Sequence, residues 1–254
     1  MERYLAKIQQ VFSPGYSFPF GGRDYLTDTG LAWVPEWLSH PRWETYLLIA
    51  KHDQSLAIAL YEWNIAIAQS FMHDAAHIEI ALRNRYNAIL SQELDFSDHW
   101  LFIEDSPVTA PLNRKRKRKS IDVNAPNRHS IAEAIRRCQQ PKPSSSQVIA
   151  ELSFGFWRHM TDAAHEKTLW IPYLHKAYPA RTARKYIDRI IGQLNDVRNR
   201  ASHHEPFITP KRLSEVDEAG KQIVDLAKMI LPSLAEHIQD TSTLGSILNS
   251  RPTN

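Results

Sequence analysis

Apolar side chains recur through most of this chain at intervals of three and four residues, which is the spacing of one helical face. Phe71, Ala75, Ile78, Leu82, Tyr86 and Ile89 form one such stripe, and Leu56, Leu60, Trp63 and Ile67 form another just before it. No proline or glycine interrupts the run from Asp53 to Pro107, so the pattern predicts one long helix, or two in succession, from Asp53 to about Gln92. Glu79 and Arg83 pair at i, i+4 within it. A second clear stripe, Ile187, Ile190, Ile191, Leu194, Val197 and Ala201, predicts a helix from Arg181 to His204 that Pro206 brings to an end.

Shorter helices are predicted at Pro41–Lys51, 128–138, 145–160 with Ser144 or Ser145 as cap, about 162–177 despite Pro172, Lys211–Leu231, and from Pro232 onward. No β-type alternation and no repeat appears. The predicted fold is all-α, with residues 1–37 as an arm packed on a body at 38–250. Within the arm, Glu2–Val11 reads as a short helix, followed by a turn-rich stretch with Tyr16, Phe18, Phe20 and Tyr25. Residues 104–128 hold Pro107, Pro111 and Pro126 with few apolar anchors and read as a mobile basic loop.

Charge changes the picture at one place. The chain has 254 residues, with 31 Lys and Arg against 28 Asp and Glu. Six of the cations are consecutive: Arg114, Lys115, Arg116, Lys117, Arg118 and Lys119; without them acids outnumber bases. Such a block suits a polyphosphate backbone, because each cation displaces a condensed counterion, and it equally suits a solvated loop. The single cysteine, Cys138, forms no intrachain disulfide, and no Cys/His cluster has zinc-ligand spacing. With no signal-type N-terminus and no apolar span, the expectation is a cytoplasmic protein with no membrane partner, no metal and no cofactor.

The helix that ends before Pro206 carries the candidate chemistry. Its tail reads Arg198-Asn199-Arg200-Ala201-Ser202-His203-His204-Glu205-Pro206. At about 100° per residue, Arg198 projects within about 40° of the middle of the apolar stripe. An inward charge is costly unless paired, so Arg198 either meets a carboxylate from another helix, with Glu79 the candidate, or faces a cleft that takes an anion. His203 and His204 sit where the negative end of the helix dipole favours imidazolium. An imidazole that takes a 2′-hydroxyl proton, beside an arginine that neutralises phosphoryl charge, is a kit for cleaving RNA.

The spacing Arg-Asn-x-x-x-His resembles the RxxxxH signature of the HEPN superfamily. Three further blocks precede it: Leu60-Tyr61-Glu62-Trp63-Asn64, Ile78-Glu79-Ile80-Ala81-Leu82-Arg83-Asn84 and Glu151-Leu152-Ser153-Phe154-Gly155-Phe156-Trp157. In this order the blocks resemble the Abi-like (abortive infection) family of bacterial phage-resistance proteins, over roughly residues 38–240. The N-terminal 35 residues and the run 114–119 lie outside the recognised pattern. The resemblance implies a HEPN-like helical bundle, a defence or toxin role, and metal-independent endoribonuclease activity in a homodimer whose two motifs face a shared cleft. Arg198, Asn199 and His203 match the catalytic signature; His204, Glu79, Arg83 and Asn84 are supporting residues. Ala88 stands where a second motif beginning at Arg83 would need histidine. RNA is the implied partner, and an antitoxin or inhibitor, RNA or protein, fits a toxin.

Two other functions use the same residues differently: a non-catalytic RNA-binding module, and a helical protein-interaction partner in which Arg198 and the histidines are structural. Phe154, Phe156, Trp157, Trp63 and Trp100 read as core, with Gly155 allowing close helix approach. Trp33, Trp37 and Tyr61 would stack bases only if exposed. His159, His165 and His175 read as surface residues without ligand spacing, and Ser144–Ser146 as non-nucleophilic.

Overall fold

The computed structural model describes residues 31–116 and 119–253. The Glu2–Val11 helix and the aromatics Tyr16, Phe18, Phe20 and Tyr25 fall outside the described residues, as do Lys117 and Arg118. The chain divides into two compact units. Of the described residues, 31–72, 200–218 and 242–253 form the first, and 73–199 with 219–241 form the second.

Two short helices open the first unit, α1 (Val34–Leu38) and α2 (His40–Ile49). Each has proline in its first turn, where the missing N–H was unpaired anyway, and Ser39 between them bends the chain at φ 67°. The helix α3 (Gln54–Glu93) then runs for 40 residues as one piece, started by Asp53, whose Oδ1 accepts the Leu56 N–H at 2.9 Å. Its part in this unit, to Met72, buries Leu60, Trp63, Ile67 and Phe71. The start of α8 (Pro210–Ile230) and the C-terminal α10 (Leu244–Asn249) complete the unit. Trp63 donates its indole N–H to the Ile247 carbonyl at 2.6 Å, and Ser70 and Thr243 share a hydroxyl bond at 2.8 Å.

The second unit holds the rest of α3, then α4 (Ala125–Arg137), α5 (Ser145–Glu151), α6 (Phe154–His159), α7 (Arg184–Ser202) up to Asn199, the remainder of α8, and α9 (Pro232–Thr241). Its buried residues include Ile78, Leu82 and Tyr86 from α3, Trp157 from α6, Ile187, Ile190, Ile191 and Leu194 from α7, and Ile223 and Leu226 from α8. Every predicted apolar stripe therefore faces inward, and the all-α expectation holds apart from one small sheet. No helix among the described residues is long and apolar enough to cross a membrane.

Three local expectations differ from the structure. The 104–128 loop contains an antiparallel hairpin, β1 (Asn113–Arg116) with β2 (Lys119–Asp122), in a register pairing Arg114 with Ile121 and Arg116 with Lys119. Its strands carry almost no apolar residues, so backbone bonds rather than a buried face hold it. Asp122 anchors its base by accepting the Leu112 and Asn124 N–H groups and pairing with Arg128. The predicted 145–160 helix is two helices. Leu152 and Ser153 are extended between them, while Ser144 forms a reciprocal cap with Gln147 as expected. Residues 162–177 make a 3-10 turn at Ala163–His165, a π-helical turn at Glu166–Trp170 and a second 3-10 turn at Leu174–Ala177. Pro172, with no N–H to give, sits where a regular helix would need one.

Candidate functional site

The division between the units falls after Asn199, so Arg198 and Asn199 belong to the second and His203 and His204 to the first. In the second unit Arg198 does meet a carboxylate. Its Nε lies 3.8 Å from Glu79 Oε2 on α3, with the two side chains 31% and 22% exposed. This is a loose, half-open pair rather than a sealed one, and the Nε has no hydrogen-bond partner among the described residues. Burial pushes the Glu79 carboxyl above its usual range, against the pull of Arg198, of Arg83 one turn along α3, and of the Phe154 N–H at the start of α6. Glu79 thus joins residues of α3, α6 and α7. Arg83 is half-buried, with its Nε also lacking a hydrogen-bond partner among the described residues, while Asn84 and Asn199 are exposed.

In the first unit α7 ends at Ser202, and the chain closes with a Schellman turn. The Glu205 N–H reaches the Arg200 carbonyl at 3.0 Å and the His204 N–H reaches that of Ala201 at 3.1 Å. His203 is the C-cap, and His204 takes the left-handed position at φ 55°. Ion pairs reinforce the turn, with Arg200 lying 2.7 Å from Glu215 on α8 and 3.6 Å from Glu205. Just beyond, the buried Asn64 of α3 accepts the Phe207 N–H through Oδ1 at 2.6 Å, and Phe207 and Ile208 enter the interior. Both histidines are exposed on this fixed turn. Because the left-handed position favours glycine, His204→Gly is expected to raise stability by about 1 kcal/mol. A chemical-denaturation midpoint that falls would contradict that account.

The aromatic blocks are core as expected: Phe154, Phe156, Trp157, Trp63 and Trp100 are all buried. Gly155 does not serve close helix approach, since a Cβ there would meet Ser153 Oγ and Asn195 Oδ1 at ordinary contact distances of 3.6 and 3.7 Å. Trp33 and Trp37 stack at 5.4 Å and are 41% and 50% exposed, with Tyr61 edge-on to Trp37. On the hairpin, Arg114, Lys115 and Lys119 have exposed side chains, and Arg114 donates to the Ala164 carbonyl at 3.1 Å. Arg116 is placed there by its backbone.

The surface reading of the other histidines holds for His175 alone. His165 is fully buried and His159 is half-buried, and both lie against Asp162. The spacing His159-x-x-Asp162-x-x-His165 was the available signal. It is masked because α6 ends at His159, and only the 3-10 turn that follows brings the three together.

The chain matches a family model described as Abi-like protein over residues 13–209. That span begins well before residue 38, takes in the basic hairpin, and stops short of residue 240. No curated protein and no solved structure matches the chain. The match covers most of the sequence, including the Glu79 pair and the histidine turn just described, and on that ground the chain belongs to the Abi-like protein family.

Proposed function

We propose that this chain is a HEPN-type endoribonuclease acting in phage abortive infection or as a toxin, with Arg198, Asn199 and His203 as its catalytic residues. Membership in the Abi-like family supports an abortive-infection or defence-related role. The observation that carries the enzymatic reading is His203 itself: an imidazole open to solvent on a turn fixed by Asn64, Arg200 and Glu215. A general base must reach its proton from a defined position, and this one is held by the fold rather than by a loose loop.

In this reading the His203 imidazole takes the proton of a ribose 2′-hydroxyl. The oxygen attacks the adjacent phosphorus, forming a 2′,3′-cyclic phosphate, and the 5′-oxygen leaves with a proton from an imidazolium. A second chain in a homodimer would supply that acid. Arg198 offsets the charge that gathers on the phosphoryl oxygens, and its loose pairing with Glu79 leaves the guanidinium partly available. Asn199 orients the phosphate or the imidazole.

The test is incubation of several RNAs with the chain and with His203→Ala in excess EDTA. Cleavage by the parent chain and a loss of about 10²–10⁴-fold in the variant are expected. Equal cleavage by both, or none by either, overturns the assignment. The exposed cations of the hairpin favour a second reading, a non-catalytic RNA-binding module. Salt-sensitive binding without cleavage in the same assay selects it.

A further inference from the structure

Within the second unit, two asparagines fix the protonation of two histidines. Asn124, just before α4, donates through Nδ2 to the carbonyls of Pro107 at 3.1 Å and Ala110 at 2.7 Å. Asn127, in the first turn of α4, donates to the Val108 carbonyl at 3.0 Å. Carbonyl oxygens only accept, so these contacts decide which way each amide faces. The Asn124 Oδ1 therefore lies 2.8 Å from His165 Nε2, and the Asn127 Oδ1 lies 2.7 Å from His159 Nδ1. An amide oxygen is likewise only an acceptor, so both of those ring nitrogens carry hydrogen.

In a neutral imidazole the other nitrogen then holds a lone pair, and both lone pairs face one carboxylate. His165 Nδ1 is 2.7 Å from Asp162 Oδ1, and His159 Nε2 is 3.5 Å from Asp162 Oδ2. Asp162 Oδ1 also caps the 3-10 turn by accepting the Ala164 and His165 N–H groups at 2.9 and 3.1 Å, so the carboxylate is fixed in place, and either a proton on His165 Nδ1 or a metal ion can stand between it and the imidazole lone pairs. Histidines that bind metals show the same outer arrangement, with the far ring N–H donated to a fixed oxygen that sets tautomer and orientation.

We infer that His159, Asp162 and His165 form a binding site for a divalent transition ion of the zinc class, with Asn124 and Asn127 as the outer residues that orient the two imidazoles. One donor atom from each of the three residues lies within 4.8 Å of the others. The two separations run to different carboxylate oxygens, 2.7 Å to Oδ1 and 3.5 Å to Oδ2, so small side-chain shifts would bring one oxygen and both imidazoles to the spacing of about 3.3 Å between tetrahedral ligands at zinc bond lengths. A cavity of about 330 Å³ opens on one side, lined by Asn127, Ser130, Ser153, Arg158, His159 and Asp162. His165 supports the site from the buried side. His159 and Asp162 line this cavity, so water or a small anion entering from it would complete the coordination. The site does not depend on the nuclease reading, and its test does not use activity.

The full chain, stripped with a chelator and dialysed, is titrated with Zn2+ by calorimetry and with Co2+ by visible absorption. One ion per chain is expected, with ligand-field bands from bound Co2+. His159→Ala and Asp162→Asn should each abolish that binding, and Asn127→Ala should weaken it about 10–100-fold. His77→Ala serves as control, because His73, His77 and His237 form a separate group with ring centroids 4.9 and 5.2 Å apart. Uptake should survive in that variant. Should His159→Ala fail to melt cooperatively, His159→Gln replaces it. Absence of uptake, uptake that persists in the His159 and Asp162 variants, or uptake lost in His77→Ala overturns the site.

Discussion

Arg198→Ala is expected to lower RNA cleavage about 10²–10³-fold, the range for losing one donor that meets developing charge, while the chain stays folded. The second half of that expectation comes from the geometry. At 3.8 Å the Arg198–Glu79 contact is wide, and both side chains are partly exposed, so losing it should cost about 1 kcal/mol. Glu79 keeps Arg83 and the Phe154 N–H after the change. Its carboxyl already sits above the ordinary range through burial, so loss of Arg198 pushes it toward the neutral form rather than stranding a buried charge. Arg198→Lys keeps the charge but not the planar fork, and should give intermediate rates. Cleavage assays beside thermal melts check the pair of outcomes. An Arg198→Ala chain that no longer melts cooperatively would assign the arginine to holding helices together and leave the helical-partner reading standing.

The largest stability effect is expected at Trp157. This side chain is fully buried, edge-on to Phe156 at 5.0 Å and to Trp100 at 6.4 Å. Truncation to alanine removes its apolar contacts and leaves a cavity, for an expected loss of about 3–5 kcal/mol by denaturant unfolding. Trp157→Phe should cost much less, because the indole Nε1–H has no hydrogen-bond partner to lose among the described residues. Trp33→Ala, on a ring that is 41% exposed and stacked on Trp37, should cost about 1–2 kcal/mol, well below the loss at Trp157. Similar losses at Trp157 and Trp33 would contradict the burial pattern on which the fold description rests.

Much of this was legible from spacing. The stripe from Leu56 to Ile89 has one period and no breaker, and α3 is accordingly a single helix; Pro206 and the end of α7 agree in the same way. The angular position of Arg198 called for a carboxylate, with Glu79 the candidate, or for an anion-binding cleft, and Glu79 is the carboxylate it meets. The hairpin was not legible, since a strand announces itself through a buried alternate face and Lys119–Asp122 has no buried residue. His159, Asp162 and His165 were hidden for a related reason. Their convergence depends on where α6 stops and on how Asn124 and Asn127 are held by the carbonyls of 107–110, none of which has a periodic signal. The Schellman turn lacks its usual glycine, so His204 gave no warning of a left-handed residue.

The anchoring of the segment from Arg200 to Phe207 bears on which strands this chain would cut. The entropy of fixing the His203 backbone is met during folding, so little of it remains to be lost on encounter. In the proposed nuclease reading all the bending would fall to the nucleic acid, which would have to swing a ribose oxygen into line with phosphorus. Unpaired loops and linkers make that swing at low cost, whereas a stacked A-form duplex resists it, and selectivity for unpaired RNA would arise without a single base being read.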